Sequence, residues 1–138
     1  MAEPRGVPYG FEQRLPGTTF DAAVERITGA LQKEGFGVLT KIDVKDTLKK
    51  KLDVDLRPYV ILGACNPSLA HQAISAEPQI GLLLPCNVVV QEISEGDVIV
   101  SIADPRAMFA LVDNPRLTPV VDDAERRLRR VMTALAPA

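Results

Sequence analysis

The two cysteines of this chain, Cys65 and Cys86, each open a Cys-Asn step beside a proline. The surrounding blocks read Leu62-Gly63-Ala64-Cys65-Asn66-Pro67 and Leu83-Leu84-Pro85-Cys86-Asn87-Val88. Thiolates are nucleophiles and soft-metal ligands, and asparagine amides offer hydrogen bonds beside each sulfur. Cys65, Asn66, Cys86 and Asn87 are therefore the candidate ligand-binding residues. The structural reading stands next to this one, because a free cysteine in a core behaves as a small hydrophobe. His71, the single histidine, follows Cys65 by six positions. Cys65, Cys86 and His71 make a conceivable three-ligand zinc or copper site. Their spacing is no recognised zinc pattern, and a lone histidine on a helix is more often packed or solvated. No metal, cofactor or catalytic residue is assigned.

Other chemistries are excluded more firmly. There is no Cys-x-x-Cys pair, phosphate-binding P-loop or serine elbow. A cysteine-phosphatase loop needs an arginine where His71 stands, to clamp phosphate bidentately. Gly35-Phe36-Gly37 is a fragment of a dinucleotide loop and precedes a strand rather than following one. The 138 residues carry a net charge of -2, with 46% hydrophobic and 25% charged side chains, which describes one globular domain and not a basic nucleic-acid binder. The longest apolar runs, Tyr59–Cys65 and Ile80–Cys86, are too short to span a bilayer. No secretory signal opens the chain, so a cytoplasmic location with reduced thiols is expected.

Several elements must position the cysteines. Residues 1–8 read as a loose lead-in, and 9–138 as the domain. Phe11–Leu15 alternates as a strand, and Pro16-Gly17 turns the chain. Thr18 and Asp21 resemble a capping box, and Phe20, Val24, Ile27 and Leu31 form one helical stripe that Gly35 stops. Phe36–Ile42 is a strand candidate. Asp43 and Asp46 start a helix through Val44, Leu48 and Leu52, whose final lysines 49–51 suit the helix dipole better than a nucleic acid. Tyr59–Cys65 reads as a strand covered on both faces, and Asn66-Pro67 caps a helix ending before Pro78. Ile80–Leu84 is either a strand or a buried connector. Asn87–Ile93 and Asp97–Ala103 form a hairpin about Ser94-Glu95-Gly96. Asp104-Pro105 opens a helical turn near Met108. Thr118-Pro119 caps a last helix, about 119–136, with a stripe at Val120, Ala124, Leu128, Val131 and Leu135. Its arginines 126, 127, 129 and 130 read as a solvated face, with an anion or partner surface as the alternative.

This order predicts an α+β domain with a mixed or antiparallel sheet and helices mainly on one face. A parallel α/β fold is the alternative. The sequence leaves open whether the two sulfurs meet. A return of Ile80–Leu84 along the sheet would let them meet at one end; without it they are expected at opposite ends.

Glu34-Gly35-Phe36-Gly37-Val38-Leu39-Thr40, Ile42-Asp43-Val44 and the two cysteine blocks together resemble the domain-of-unknown-function 302 (DUF302) family over about residues 9–105. The resemblance implies a small α+β domain that assembles as a homodimer, and it supplies no reaction or ligand. Three functions follow. One is a thiol-centred binder of a small ligand or sulfur, with Cys65 in contact and Cys86 resolving or co-liganding. Another is a dimeric interaction module with structural cysteines, paired at a hairpin edge. The third is a metal-binding protein. None involves nucleic acid or a membrane.

Overall fold

The computed structural model describes residues 6–136; residues 1–5 of the expected lead-in and the last two residues lie outside this range. The strands are β1 (Gly10–Pro16), β2 (Gly37–Asp43), β3 (Tyr59–Cys65), β4 (Cys86–Ser94) and β5 (Asp97–Ala103). The helices are α1 (Phe20–Lys33), α2 (Val44–Leu52), α3 (Pro67–Ala76), the short α4 (Pro105–Phe109) and α5 (Thr118–Leu135). Short 3-10 turns, Pro78–Leu83 and Pro115–Leu117, precede β4 and α5.

The five strands form one sheet in the order β1-β5-β4-β3-β2, and every neighbouring pair is antiparallel. The fold is α+β, and neither the mixed sheet nor the parallel alternative is present. The cause is topological. Helices α2 and α3 each join adjacent strands that run in opposite directions, so neither makes the crossover a parallel pair requires. The hairpin β4–β5 lies near the middle of the sheet and leaves the edges to β1 and β2. Dimer pairing through a hairpin edge is therefore not available.

Alternation along the strands sends one set of side chains toward the helices. Leu15, Val60, Leu62, Val88, Val90, Val98, Val100 and Ile102 meet Ala23, Ile27 and Leu31 of α1, Leu69 and Ala73 of α3, and the stripe of α5. Each fully buried aliphatic side chain contributes about 1.5–3 kcal/mol in transfer terms. The α5 stripe includes all five expected residues and also Val121 and Met132.

The caps differ in detail from expectation. Thr19, not Thr18, caps α1, its hydroxyl accepting from the Ala22 amide at 3.2 Å. Helix α5 begins at Thr118 with no side-chain cap, because the preceding turn, capped by Asn114, leads straight into it. Asp43 caps α2 as expected, accepting from Asp46 N at 2.9 Å. No residue of α2 is buried. Lys50 pairs with Asp46, and Lys49 with Asp53 and Asp55.

The opposite sheet face carries no helical core. The register aligns Ile42, Ile61, Val89, Ser101 and Glu12 in one row, and Tyr59, Gln91, Ile99 and Arg14 in the next. Strand β3 is expected to be covered on both faces, but Tyr59 and Ile61 on this face are half-buried rather than enclosed. Ile99 is nonetheless 1% exposed, and Gln91 is buried with its Oε1 unpartnered.

Gly63 fixes the approach of β2 and β4 to β3. A Cβ built there would collide with Thr40 Oγ1 and lie 2.8 Å from Cγ of Pro85. The hydroxyl can rotate away, but the proline ring is rigid. Gly63→Ala is expected to destabilise the protein by about 1–3 kcal/mol, as measured by the urea midpoint. Thr40→Ala combined with Gly63→Ala should recover only part of the loss.

Candidate functional site

Cys65 ends β3 and Cys86 begins β4. Because the two strands are antiparallel neighbours, with Ala64 paired to Cys86, both cysteines lie at the same end of the sheet. The segment Ile80–Leu84 is the connector, folded as a 3-10 turn, and not a strand. It brings the chain back to the end it left, so the cysteines meet by a different route from a return along the sheet. Pro85, after a cis Leu84–Pro85 peptide, packs on Gly63 and sets the entry of β4.

The residues around Cys65 are held by one junction. Asn66 caps α3: its Oδ1 accepts from Leu69 N at 3.2 Å, and its Nδ2 donates to Glu34 O at 3.5 Å. The same Glu34 carbonyl accepts from Arg127 Nη1 of α5 at 2.9 Å. Gly35 makes this approach possible. It lies at φ +83, and a Cβ on it would stand 2.9 Å from Asn66 Nδ2. The Glu34 side chain accepts from Arg130 Nε at 2.9 Å. That hydrogen bond first, and then the charges of Arg130 and Arg127, hold its carboxyl below the ordinary carboxylate range.

Both cysteines and Asn66 line one cleft between the sheet end and helices α3 and α5, with a free volume of about 30 Å3. The remaining walls are apolar, including Phe36, Leu69, Leu84, Phe109 and Val120. Asn66 lines the cleft while its amide also serves the α3 cap and the Glu34 carbonyl. Asn87 is exposed and lines a neighbouring cleft of about 110 Å3 together with Cys86, Met108 and Phe109. His71 is exposed on α3. Among the described residues, no three or more His, Cys, Asp or Glu side chains are placed to share a metal ion, so His71 does not complete a set with the cysteines.

Both thiols are free and partly buried. Burial, and secondarily the nearby Cys65 thiol, pushes Cys86 up from 9.0 to about 11. Cys86 thus remains a protonated thiol at neutral pH, a weak donor and a slow nucleophile. Cys65, at the head of α3, lies beside the partial positive charge of a helix N-terminus.

The sequence did not single out Gly63, Pro85 or Phe109 as site residues. Gly63 carries a legible signal, since an isolated glycine in an apolar strand marks a close approach. Phe109 carries none beyond being one of four phenylalanines.

The family model described as "Domain of unknown function DUF302" matches residues 11–135, so it continues through α5. The crystal structure of an uncharacterised conserved DUF302 protein from Bacillus stearothermophilus is similar at 28% identity, covering 94% of this chain and 99% of that one, with a TM-score of 0.83. No curated protein matches. No helix among the described residues is long and apolar enough to cross a membrane.

The shift of Cys86 makes a pH prediction. Between pH 9 and 11 the unfolded chain ionises this thiol and the folded chain does not. Its contribution is present below about 9 and is lost as pH rises to about 11. Over that window wild type should lose about 2–3 kcal/mol more than Cys86→Ala, read from denaturant melts of both proteins at several pH values.

Proposed function

The chain belongs to the DUF302 family, and from that premise we propose that it is a small-ligand-binding protein centred on the Cys65–Cys86 thiol pair and working as a homodimer in a reducing, cytoplasmic setting. The observation that carries this reading is that Cys65 and Cys86 both line one apolar cleft. The volume narrows the ligand. A water needs roughly 10–15 Å3 of such space, and a drug-sized molecule several hundred. A cleft of about 30 Å3 holds one or two non-hydrogen atoms. Apolar walls disfavour phosphates and carboxylates, which need several donors. A single sulfur atom, or a group of methanethiol size, suits both the space and the thiols. Cys65 makes the contact, and Cys86 stands by as the protonated partner.

Polysulfide is the direct probe. The Cys65 thiolate takes one sulfur atom from the polysulfide dianion, giving a persulfide and a chain one sulfur shorter. Mass spectrometry of the folded protein is expected to show one added sulfur on Cys65, and none in Cys65→Ser. Both cysteines staying unmodified when folded, yet reacting in denaturant, would overturn the reading.

A dimeric interaction module with structural cysteines is the second reading, favoured by the sheet face outside the buried core cluster. Ile42, Ile61 and Val89 lie in one row there, Ile42 exposed and Ile61 and Val89 half-buried. Five strands of about seven residues span about 24 by 23 Å, or about 550 Å2, so an interface of about 800 Å2 per partner has to draw on the rim as well as the face. A second copy fits best, because a two-fold axis through Ile61 lays the apolar half on itself and keeps Glu12 and Arg14 at the rim. Light scattering is expected to give twice the 15.0 kDa chain mass, and Ile61→Glu to give a monomer. A monomeric wild type at micromolar concentration removes the dimer from both readings. Loss of dimer in Ile61→Glu with unchanged sulfur uptake separates the two.

A further inference from the structure

Phe109 is 9% exposed and forms part of the wall of three clefts. On one side is the thiol cleft of about 30 Å3. On another is the cleft of about 110 Å3, which shares Leu84, Pro85, Cys86 and Pro105 with it. The third, of about 200 Å3, lies toward Arg106 and Leu117. Cys86 therefore borders two clefts, and Phe109, together with Leu84, Pro85 and Pro105, belongs to the wall that the two share.

The ring is held by a short helix that is itself tied down. Asp104 caps α4 by accepting from Arg106 N at 2.9 Å. The Arg106 side chain bonds Asp122 and Glu125 of α5, and Pro105 is buried beneath it. Phe109 is consequently positioned from the N-terminal end of its five-residue helix.

We propose that Phe109 is the size filter of the thiol cleft: its ring confines ligands at Cys65 and Cys86 to one or two non-hydrogen atoms and closes off a second chamber able to seat a ring-sized apolar group. The inference rests on the thiol-binding reading and adds the residue that sets its ligand class. An apolar cavity of order 150 Å3 takes up benzene. Shortening Phe109 joins the cleft to its neighbour and brings the site into that range. The ligand class would then shift from single-sulfur compounds to alkyl and aryl sulfur compounds.

Methyl and benzyl methanethiosulfonate test this with one chemistry at two sizes. In each case a cysteine thiolate displaces methanesulfinate, forming a mixed disulfide with the methylthio or benzylthio group. The readout is the methyl-to-benzyl rate ratio at Cys65 and Cys86, resolved by mass spectrometry of peptides, against the ratio in denaturant. In wild type the folded ratio should exceed the denatured one by about tenfold or more. Phe109→Leu, which keeps an apolar side chain, should lower it several-fold, Phe109→Ala should lower it further, and Phe109→Trp should preserve it. Thermal melts by circular dichroism confirm that each variant is folded.

Labelling by the methyl reagent with a ratio that Phe109→Leu leaves unchanged overturns the filter and spares the thiol site. A Phe109→Leu protein in which both rates rise together toward the denatured values also overturns it, since the ring would then only stabilise the fold. No methyl labelling in the folded wild type overturns the thiol reading itself.

Discussion

A single carbonyl group organises the cysteine end of the molecule. Glu34 O ends α1, accepts from Arg127 of α5 and from Asn66 at the head of α3, and so draws three helices to one point. The residue after it has to be glycine, both for its left-handed backbone and because a side chain there would strike Asn66. Cys65 precedes Asn66, so the position of its thiol is inherited from this junction. The Glu34 carboxylate strengthens the same junction through Arg130. These arginines were legible in the sequence as a helix face, but their destination on another helix was not.

Sequence periodicity carried most of the fold, because the elements are locally determined. The α1 stripe, the Asn66-Pro67 helix start and the hairpin lie where spacing and turn residues put them. Strand direction was less legible. It depends on which strands become neighbours, and that is set by long-range packing of α1 and α5 against one sheet face. The Ile80–Leu84 connector shows the same limit: an apolar run cannot announce whether it is a strand or a buried turn. The cysteines stood out by type. Their meeting in one cleft depends on the direction of β3 relative to β4, and the role of Phe109 depends on tertiary contacts alone.

The cleft acts by what it lacks. Asn66 is occupied by its cap, Cys86 stays protonated, and the other walls are apolar. Any ligand that arrives with a tight hydration shell has to shed it with little to replace it. Discrimination between soft, weakly hydrated ligands and tightly hydrated anions such as phosphate or carboxylate is thus built into the fold before any specific contact is made.

The strand order also has a consequence for biogenesis. Strand β1 is made before the other four strands, yet its only neighbour in the sheet among the described residues is β5, whose last residue is Ala103. Until that residue leaves the ribosome, β1 has no sheet partner. Its sequence suits the wait: Glu12 and Arg14 charge one face, and Pro16 ends it without a backbone donor. Such features discourage pairing with other chains. The first of the five strands is therefore locked in only after the last has been made, and a nascent chain carries it unpaired until then.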